Sequence, residues 1–250
     1  MKPAFFIAAL AALLLVAGVP ARAQVLDRDI PALNATAVRL NVSGSVRLIA
    51  ASGVSSIKLH VVDYGPKIPP LHVTTTKTGA RLTVSVTGPS QNILPFDGAS
   101  GYELQITYPA SIKMDVREFA GRVHIDRVTA PMQIYDANGS ILVDDARSAL
   151  TAESDQGDVS VSNASGMVEL TCGNGNATAT LATNWTGNLV RMESTQGNLT
   201  LNVPPGFRAR FDLTTAQGSV TNAIRTTAHA PLVFMLTEQG NVAVVSRKGL

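Results

Sequence analysis

Residues 121–183 divide into seven consecutive units of nine residues that share one pattern of small and apolar positions. The first position of every unit is Gly, Ala or Ser. The third position is always apolar, in the series Val123, Met132, Ile141, Leu150, Val159, Val168 and Ala177. The fifth is apolar as well, in the series Ile125, Ile134, Val143, Ala152, Val161, Leu170 and Ala179. Because side chains two residues apart share one face of a strand, each unit predicts a short β-strand with two inward side chains.

A longer period groups these units in pairs. Glycines recur at an even spacing of two units at Gly121, Gly139, Gly157 and Gly175, and at slightly longer intervals at Gly197, Gly218 and Gly240. Coils that each contribute two strands and stack about 4.8 Å apart form a β-solenoid. The sequence therefore predicts an all-β, single-chain β-solenoid with coils of about 18–22 residues, regular over 115–250. A hexapeptide helix or a sandwich of independent strands fits this period less well.

A glutamine precedes the glycine in four of these coils. We expect these side chains to stack at one corner as a structural hydrogen-bonded ladder, formed by Gln156, Gln196, Gln217 and Gln239.

The sequence pattern over residues 24–114 predicts a less regular, β-rich part of the same domain. Alternating polarity predicts strands at 37–42, 45–50, 56–62, 102–109 and 111–117, and a hairpin over 72–86 that turns near 77–79. Residues 44–48 (GSVRL) are similar to the later repeats, so irregular coils are expected to begin there. Two proline-bearing stretches, 65–70 and 88–98, are expected to leave the stack as loops.

Residues 1–23 have the pattern of a secretory signal peptide. Lys2 precedes an apolar run, and Ala21-Arg22-Ala23 is a small-x-small cleavage site, so the mature chain is expected to begin at Gln24. The alternative is an uncleaved N-terminal anchor, although the apolar run over 4–19 is short for a membrane span. We therefore expect an exported protein of the periplasm, cell envelope or medium, without a transmembrane span in the mature chain.

Cleavage also changes the charge balance. The whole chain has 20 basic and 18 acidic residues, and loss of Lys2 and Arg22 leaves 18 of each. A neutral chain without clustered Lys and Arg is not expected to bind nucleic acid. The single cysteine, Cys172, cannot form an intramolecular disulfide, and its expected role is that of a small buried residue.

The order of several motifs resembles a bacterial family of β-strand-repeat proteins known as "putative adhesins". The motifs are GSVRL, GARLTVSV, YPASIKMDV and the repeated Q-G-[DNS]-[VL], and the resemblance spans residues 37–245. It implies a β-solenoid of the cell envelope with an adhesin-like binding or scaffolding role toward a surface protein or polysaccharide. The family has no established catalytic residues to transfer to this chain. A polysaccharide lyase or hydrolase on a β-helix, and an accessory protein of envelope-stress signalling, are the alternatives.

Acidic residues are frequent in the first regular coils. Ten acidic and four basic residues lie between Asp115 and Glu169. Carboxylates at solenoid turns can supply the oxygen ligands that Ca²⁺ requires, so calcium is the one cofactor candidate, at Asp144, Asp145, Asp155 and Asp158. The competing interpretation is a set of solvated turn carboxylates, because the glycine-rich nonapeptide of calcium-binding β-rolls is absent.

Two further observations concern ligands and catalysis. Trp185, in the turn NWTGN, is a candidate ligand platform, or else a cover for a sheet edge. The four histidines are dispersed without metal-ligand spacing, no G-x-S-x-G nucleophile motif occurs, and only 5% of the residues are aromatic. We therefore expect a protein without catalytic residues.

Overall fold

The computed structural model describes residues 27–32, 34–63, 71–87 and 102–247. These residues form 21 strands in two mixed sheets, which confirms the all-β prediction. No helix in these ranges is long and apolar enough to cross a membrane. The predicted signal peptide and the loops at 65–70 and 88–98 lie outside the described residues.

The strands alternate between the two sheets along most of the chain. Sheet I has eleven strands in the order β1 (Asp27–Pro31), β4 (Ser56–Asp63), β7 (Tyr102–Pro109), β3 (Ser45–Ala51), β9 (Gly121–Ile125), β11 (Gly139–Asp144), β13 (Val159–Ala164), β15 (Ala177–Leu181), β17 (Leu199–Val203), β21 (Val242–Ser246) and β19 (Val220–Asn222). Sheet II has ten strands in the order β18 (Arg210–Gln217), β20 (Leu232–Gln239), β16 (Leu189–Gln196), β14 (Val168–Asn174), β12 (Leu150–Gln156), β10 (Met132–Asp136), β8 (Lys113–Glu118), β2 (Ala37–Val42), β6 (Arg81–Thr87) and β5 (His72–Thr78).

Each sheet II strand and the sheet I strand that follows it form a unit that we call a rung. Each strand from β8 to β15 pairs in parallel with the strand two places further along the chain. The register equals two nine-residue units in the pairs Met132–Leu150 and Ile141–Val159, and it lengthens to 22 residues in the pair Val168–Val190. All fourteen apolar positions of the nine-residue repeat are buried, none more than 3% exposed. The predicted strand of each unit and its inward face are therefore confirmed.

The small first position of the repeat is explained by close approach between rungs. A Cβ atom placed on Gly157 would lie 2.0 Å from the carbonyl oxygen of Gly139, and one on Gly175 would lie 2.2 Å from that of Gly157. Both glycines also have a φ in the left-handed region, +144° and +157°. Here glycine therefore permits both the turn and the contact of one backbone with the next.

The rungs do not stack in chain order at the C-terminal end. β20 lies between β16 and β18, and β21 lies between β17 and β19. The rung β20/β21 has four inward side chains that are at most 1% exposed: Val233, Met235, Val242 and Val244. The rung β18/β19 has Asn222 at the position of Val244, and Val220 remains 45% exposed. An interior place for the more apolar rung buries more apolar surface, which stabilises this order.

The N-terminal part joins the same two sheets. The rung β2/β3 pairs in parallel with β8/β9 on one side and with β6 and β7 on the other. Residues 45–48 of the GSVRL motif are thus part of β3 in this rung, and parallel pairing already begins at β2, which precedes the motif. The predicted hairpin is the antiparallel pair β5–β6, and β4 and β1 complete the edge of sheet I in antiparallel pairing.

The corner ladder lies two residues away from the predicted glutamines. Three of the four glutamines align in register next to one another and are exposed, with Gln196 pairing with Gln239 and then Gln217. The hydrogen bonds of the ladder are made by the residue after each glycine: the backbone and side-chain amides of Asn176 donate to Asp158 Oδ1 at 2.7 and 3.1 Å. The same pattern continues through Asn198, Asn241 and Ser219. The short Asp and Asn side chains after each glycine reach the next rung, so these residues form the ladder and the glutamines do not.

Candidate functional site

A cleft opens at the first of the longer rungs. The connection from sheet I back to sheet II spans residues 165–167 in one rung and 182–188 in the next. The longer connection and residues 204–208 enclose a cleft of about 380 Å³. Its walls are formed by Thr183, Trp185, Thr186, Gly187, Pro204, Pro205, Gly206, Phe207, Arg208 and Pro231.

Trp185 is held in a fixed orientation at this cleft. Its indole N–H donates to the carbonyl oxygen of Gly166 at 2.7 Å. Its ring centroid lies 5.5 Å from that of Phe207, with the ring planes at 59°. A Cβ on Gly187 would lie 2.7 Å from the indole ring, so the ring packs directly on the Gly187 backbone. Trp185 therefore packs against the core and also lines a cleft, and its role as a ligand platform stays a prediction.

The cleft combines apolar and polar groups and carries one cation. Three prolines and two aromatic rings lie among its lining residues, and Arg208 is the charged side chain there. Arg208 is exposed, whereas Trp185 and Phe207 are half-buried. A concave site that has aromatic side chains and a few polar groups is typical of ligand binding. No Asp or Glu lines the cleft, so the described residues there provide no carboxylate for general acid–base chemistry.

Each of the four calcium candidates has its own partners in the structure. Asp145 contacts the guanidinium groups of Arg147 at 2.7 Å and Arg127 at 3.3 Å, and Arg147 holds the pKa of Asp145 below its ordinary value. Asp155 accepts a hydrogen bond of 2.6 Å from the Tyr135 hydroxyl. Asp158 belongs to the corner ladder described above.

Asp144 lies beside a histidine that the sequence did not connect with it. His124 Nε2 is 3.0 Å from Asp144 Oδ2 and 3.5 Å from Asp126 Oδ1. The hydrogen bond to His124 lowers the pKa of Asp144. The signal in the sequence was the spacing from His124 to Asp144. It equals the 18-residue register between β9 and β11 plus two positions along the strand.

A second cluster missed by the sequence is a buried carboxyl pair. Glu118 and Asp136 are each 0% exposed and occupy the same column in neighbouring rungs. Glu118 Oε1 accepts the backbone N–H groups of Gly44 and Ala120, at 2.9 and 2.7 Å. Glu118 Oε2 and Asp136 Oδ2 accept no hydrogen bond from the described part of the chain. Burial raises the pKa of both groups, that of Asp136 to about 8, and this favours a proton shared by the two carboxyls at neutral pH.

In later rungs the same column holds small neutral groups. Ser154 donates to the carbonyl oxygen of Gly139 at 2.9 Å, and Ser194 donates to that of Gly175 at 3.1 Å. Cys172 is buried in this column, as predicted, and burial raises the pKa of its thiol to about 11.

No family model and no curated protein matches the sequence. Among solved structures, a putative adhesin from Bacteroides fragilis is similar at a TM-score of 0.49 and 15% identity over 89% of this chain and 97% of that chain. A putative adhesin from Parabacteroides merdae has a TM-score of 0.40 and 10% identity, over 90% and 96%. A putative cell adhesion protein from Clostridium sporogenes has a TM-score of 0.39 and 10% identity, over 90% and 100%. These proteins bear the name of the family that the sequence motifs resemble; at such identities the likeness says nothing about ligand or activity.

Proposed function

We propose that this chain is an exported, non-catalytic β-solenoid that binds a polysaccharide or protein of the cell surface in the manner of an adhesin. The observation that carries the proposal is the cleft around Trp185, whose aromatic and proline walls are presented rigidly beside Arg208. Export follows from the signal-peptide pattern at residues 1–23.

The strand arrangement supports the solenoid. From β6 to β21 consecutive strands alternate between the sheets, and neighbouring rungs pair in parallel in both sheets. Such a stack presents long faces of repeated side chains, which suit extended ligands.

The chemistry of the cleft favours binding over catalysis. The faces of Trp185 and Phe207 offer apolar contact to sugar rings or to a peptide, and Arg208 offers hydrogen-bond donors and a positive charge. Hydrolysis of a glycosidic bond requires two carboxyl groups about 5–10 Å apart around the scissile bond. The lining residues supply neither.

Arg208→Gln is expected to weaken ligand binding at least tenfold without loss of stability, because Arg208 is exposed and lines the cleft. Trp185→Ala is expected to weaken ligand binding at least as much as Arg208→Gln does. The measurement is binding of the mature protein to immobilised bacterial and host surface polysaccharides by biolayer interferometry. Phe119→Ala is the matched control, because Phe119 is an exposed aromatic side chain outside the cleft lining.

Equal binding by the Arg208→Gln and Phe119→Ala variants would show that the cleft is not the ligand site. Absence of binding to any polysaccharide would exclude a polysaccharide ligand and leave a protein partner. Release of shortened saccharides would instead establish the carbohydrate-active enzyme.

A further inference from the structure

We propose that His124, Asp126 and Asp144 form a binding site for one divalent transition-metal ion, of which Zn²⁺ is the best match. The site lies on sheet I, at the end of β9 and β11, and shares no residue with the cleft. It is independent of the proposed ligand-binding role.

The ligand atoms are near the separation that a metal ion requires. One nitrogen of His124 and one carboxylate oxygen each of Asp126 and Asp144 lie within 4.8 Å of one another. His124 Nε2 is 3.0 Å from one of these aspartates and 3.5 Å from the other. In a tetrahedral site with bonds of about 2.0–2.1 Å, ligand atoms are about 3.3 Å apart. An ion can therefore be bound by small side-chain movements, without rearrangement of the strands.

The register of the stack positions these groups. The interval from Asp126 to Asp144 equals the register of β9 with β11, and His124 precedes Asp126 by two positions. Side chains two residues apart share a face of a strand, so the three groups converge on one side of sheet I. The three side chains are 24–47% exposed, so water can occupy a remaining coordination position.

Neighbouring side chains orient the two carboxylates. The Ser162 hydroxyl donates to Asp144 Oδ1 at 2.8 Å, while the other oxygen of Asp144 faces His124. Arg47 Nε donates to Asp126 Oδ2 at 3.2 Å, and its Nη2 donates to Asp126 Oδ1 at 3.1 Å. Hydrogen bonds of this kind fix metal-ligand carboxylates in well-formed sites. The two aspartates and the one arginine together carry a net charge of −1, which favours a cation.

The donor set selects the class of ion. An imidazole nitrogen with two carboxylates suits Zn²⁺, Co²⁺ or Mn²⁺, whereas Ca²⁺ takes six to eight oxygen ligands. Asp144, a calcium candidate from the sequence, is thus assigned to a transition-metal site instead.

The test is titration of the tag-free mature protein with ZnCl₂ by isothermal calorimetry at pH 7.5, and with CoCl₂ by visible absorption. We expect one equivalent of Zn²⁺ to bind with a Kd below about 10 μM, and a Co²⁺ d–d band to show nitrogen and oxygen ligation. His124→Gln and Asp144→Asn should each weaken binding at least tenfold. His60→Gln is the matched control, since His60 contacts Asp27 at 2.6 Å and is not in the three-residue cluster.

Circular dichroism of each variant separates loss of the site from loss of the fold. Zn²⁺ binding that is absent, or that falls equally in His124→Gln and His60→Gln, would overturn the proposal. Binding of Ca²⁺ in preference to Zn²⁺ would overturn the choice of ion.

Discussion

Val159→Asp is expected to destabilise the protein by about 4 kcal/mol or more, enough to prevent folding of a marginal domain. Val159 is 1% exposed and lies in register between Ile141 and Ala177 on the inner face of sheet I. A carboxylate there has no partner among these apolar neighbours. The measurement is the free energy of unfolding, obtained from urea denaturation that is followed by far-UV circular dichroism.

The neighbouring position provides the control. Ser160 points away from the core, between Leu142 and Thr178, and is half-buried. Ser160→Asp is therefore expected to change stability by less than about 1 kcal/mol. Equal tolerance of the two substitutions would contradict the assigned faces of the strand.

Asp136→Ser is expected to stabilise the protein by about 3 kcal/mol or more at pH 8. The substitution removes one of two carboxyls that are both fully buried. A serine at this position can donate to the neighbouring glycine carbonyl, as Ser154 does to Gly139. Glu118 keeps the backbone donors of Gly44 and Ala120.

The stabilisation by Asp136→Ser is expected to increase with pH. The pKa of Asp136 is raised by burial and by the adjacent Glu118, from 3.8 to about 8 in the folded protein. Between these values the folded state binds more protons than the unfolded state, so the stability of the unsubstituted protein falls by up to about 1.4 kcal/mol per pH unit. The difference between the Asp136→Ser variant and the unsubstituted protein is thus small near pH 4 and largest at pH 8 and above.

Chemical denaturation at pH 4, 6 and 8 measures this dependence. Glu153→Ser is the matched control, since Glu153 is an exposed carboxylate on the next strand of the same sheet, and it should leave the pH dependence unchanged. A difference in stability between Asp136→Ser and the unsubstituted protein that is constant with pH would show that the buried pair does not share a proton.

The periodic features of the fold were predictable because each reflects a requirement that every rung must meet. Apolar residues at two fixed positions indicated the inward face, and all fourteen are buried. Small residues at the first position were predicted from turn geometry alone. The close contact between Gly157 and Gly139 is a second reason for small residues at this position. It involves two neighbouring rungs, so a single strand does not show it.

The order of the last rungs could not be read from spacing. Gly218 and Gly240 follow Gly197 at similar intervals, which indicates stacking in chain order, yet Gly240 lies next to Gly197. The order depends on whether β18/β19 or β20/β21 buries more apolar surface in the interior place. The apolar side chains of β20 and β21 favour the interior place, and this is a property of the whole stack.

The two side-chain clusters were missed because charged residues were counted along the chain instead of by column. Glu118 and Asp136 share the column of Ser154 and Cys172, where the side chain points inward. Alignment of the rungs would have shown that these two carboxyls are buried neighbours. The same alignment places Asp126 level with Asp144, next to His124.

Trp185 was identified as a candidate by its residue type, but its cleft was not predictable. The walls come from residues 182–188, residues 204–208 and Pro231, which belong to three separate connections. Those connections are irregular, so no repeat relates them to one another. Only the three-dimensional stack brings Phe207 and Arg208 beside Trp185.

The stacking of parallel rungs is tested most directly by pairs of engineered cysteines on sheet I. Thr200 pairs with Ala243, and Ala243 pairs with Thr221, so Thr200 and Thr221 lie two strands apart. Neighbouring strands are about 4.8 Å apart, and a disulfide requires Cα atoms within about 7 Å. Cys172 is buried and its thiol pKa is raised to about 11, so it does not compete. Mild oxidation followed by mass spectrometry should show a disulfide in the Thr200→Cys/Ala243→Cys variant and none in Thr200→Cys/Thr221→Cys; the opposite result would contradict the stack described here.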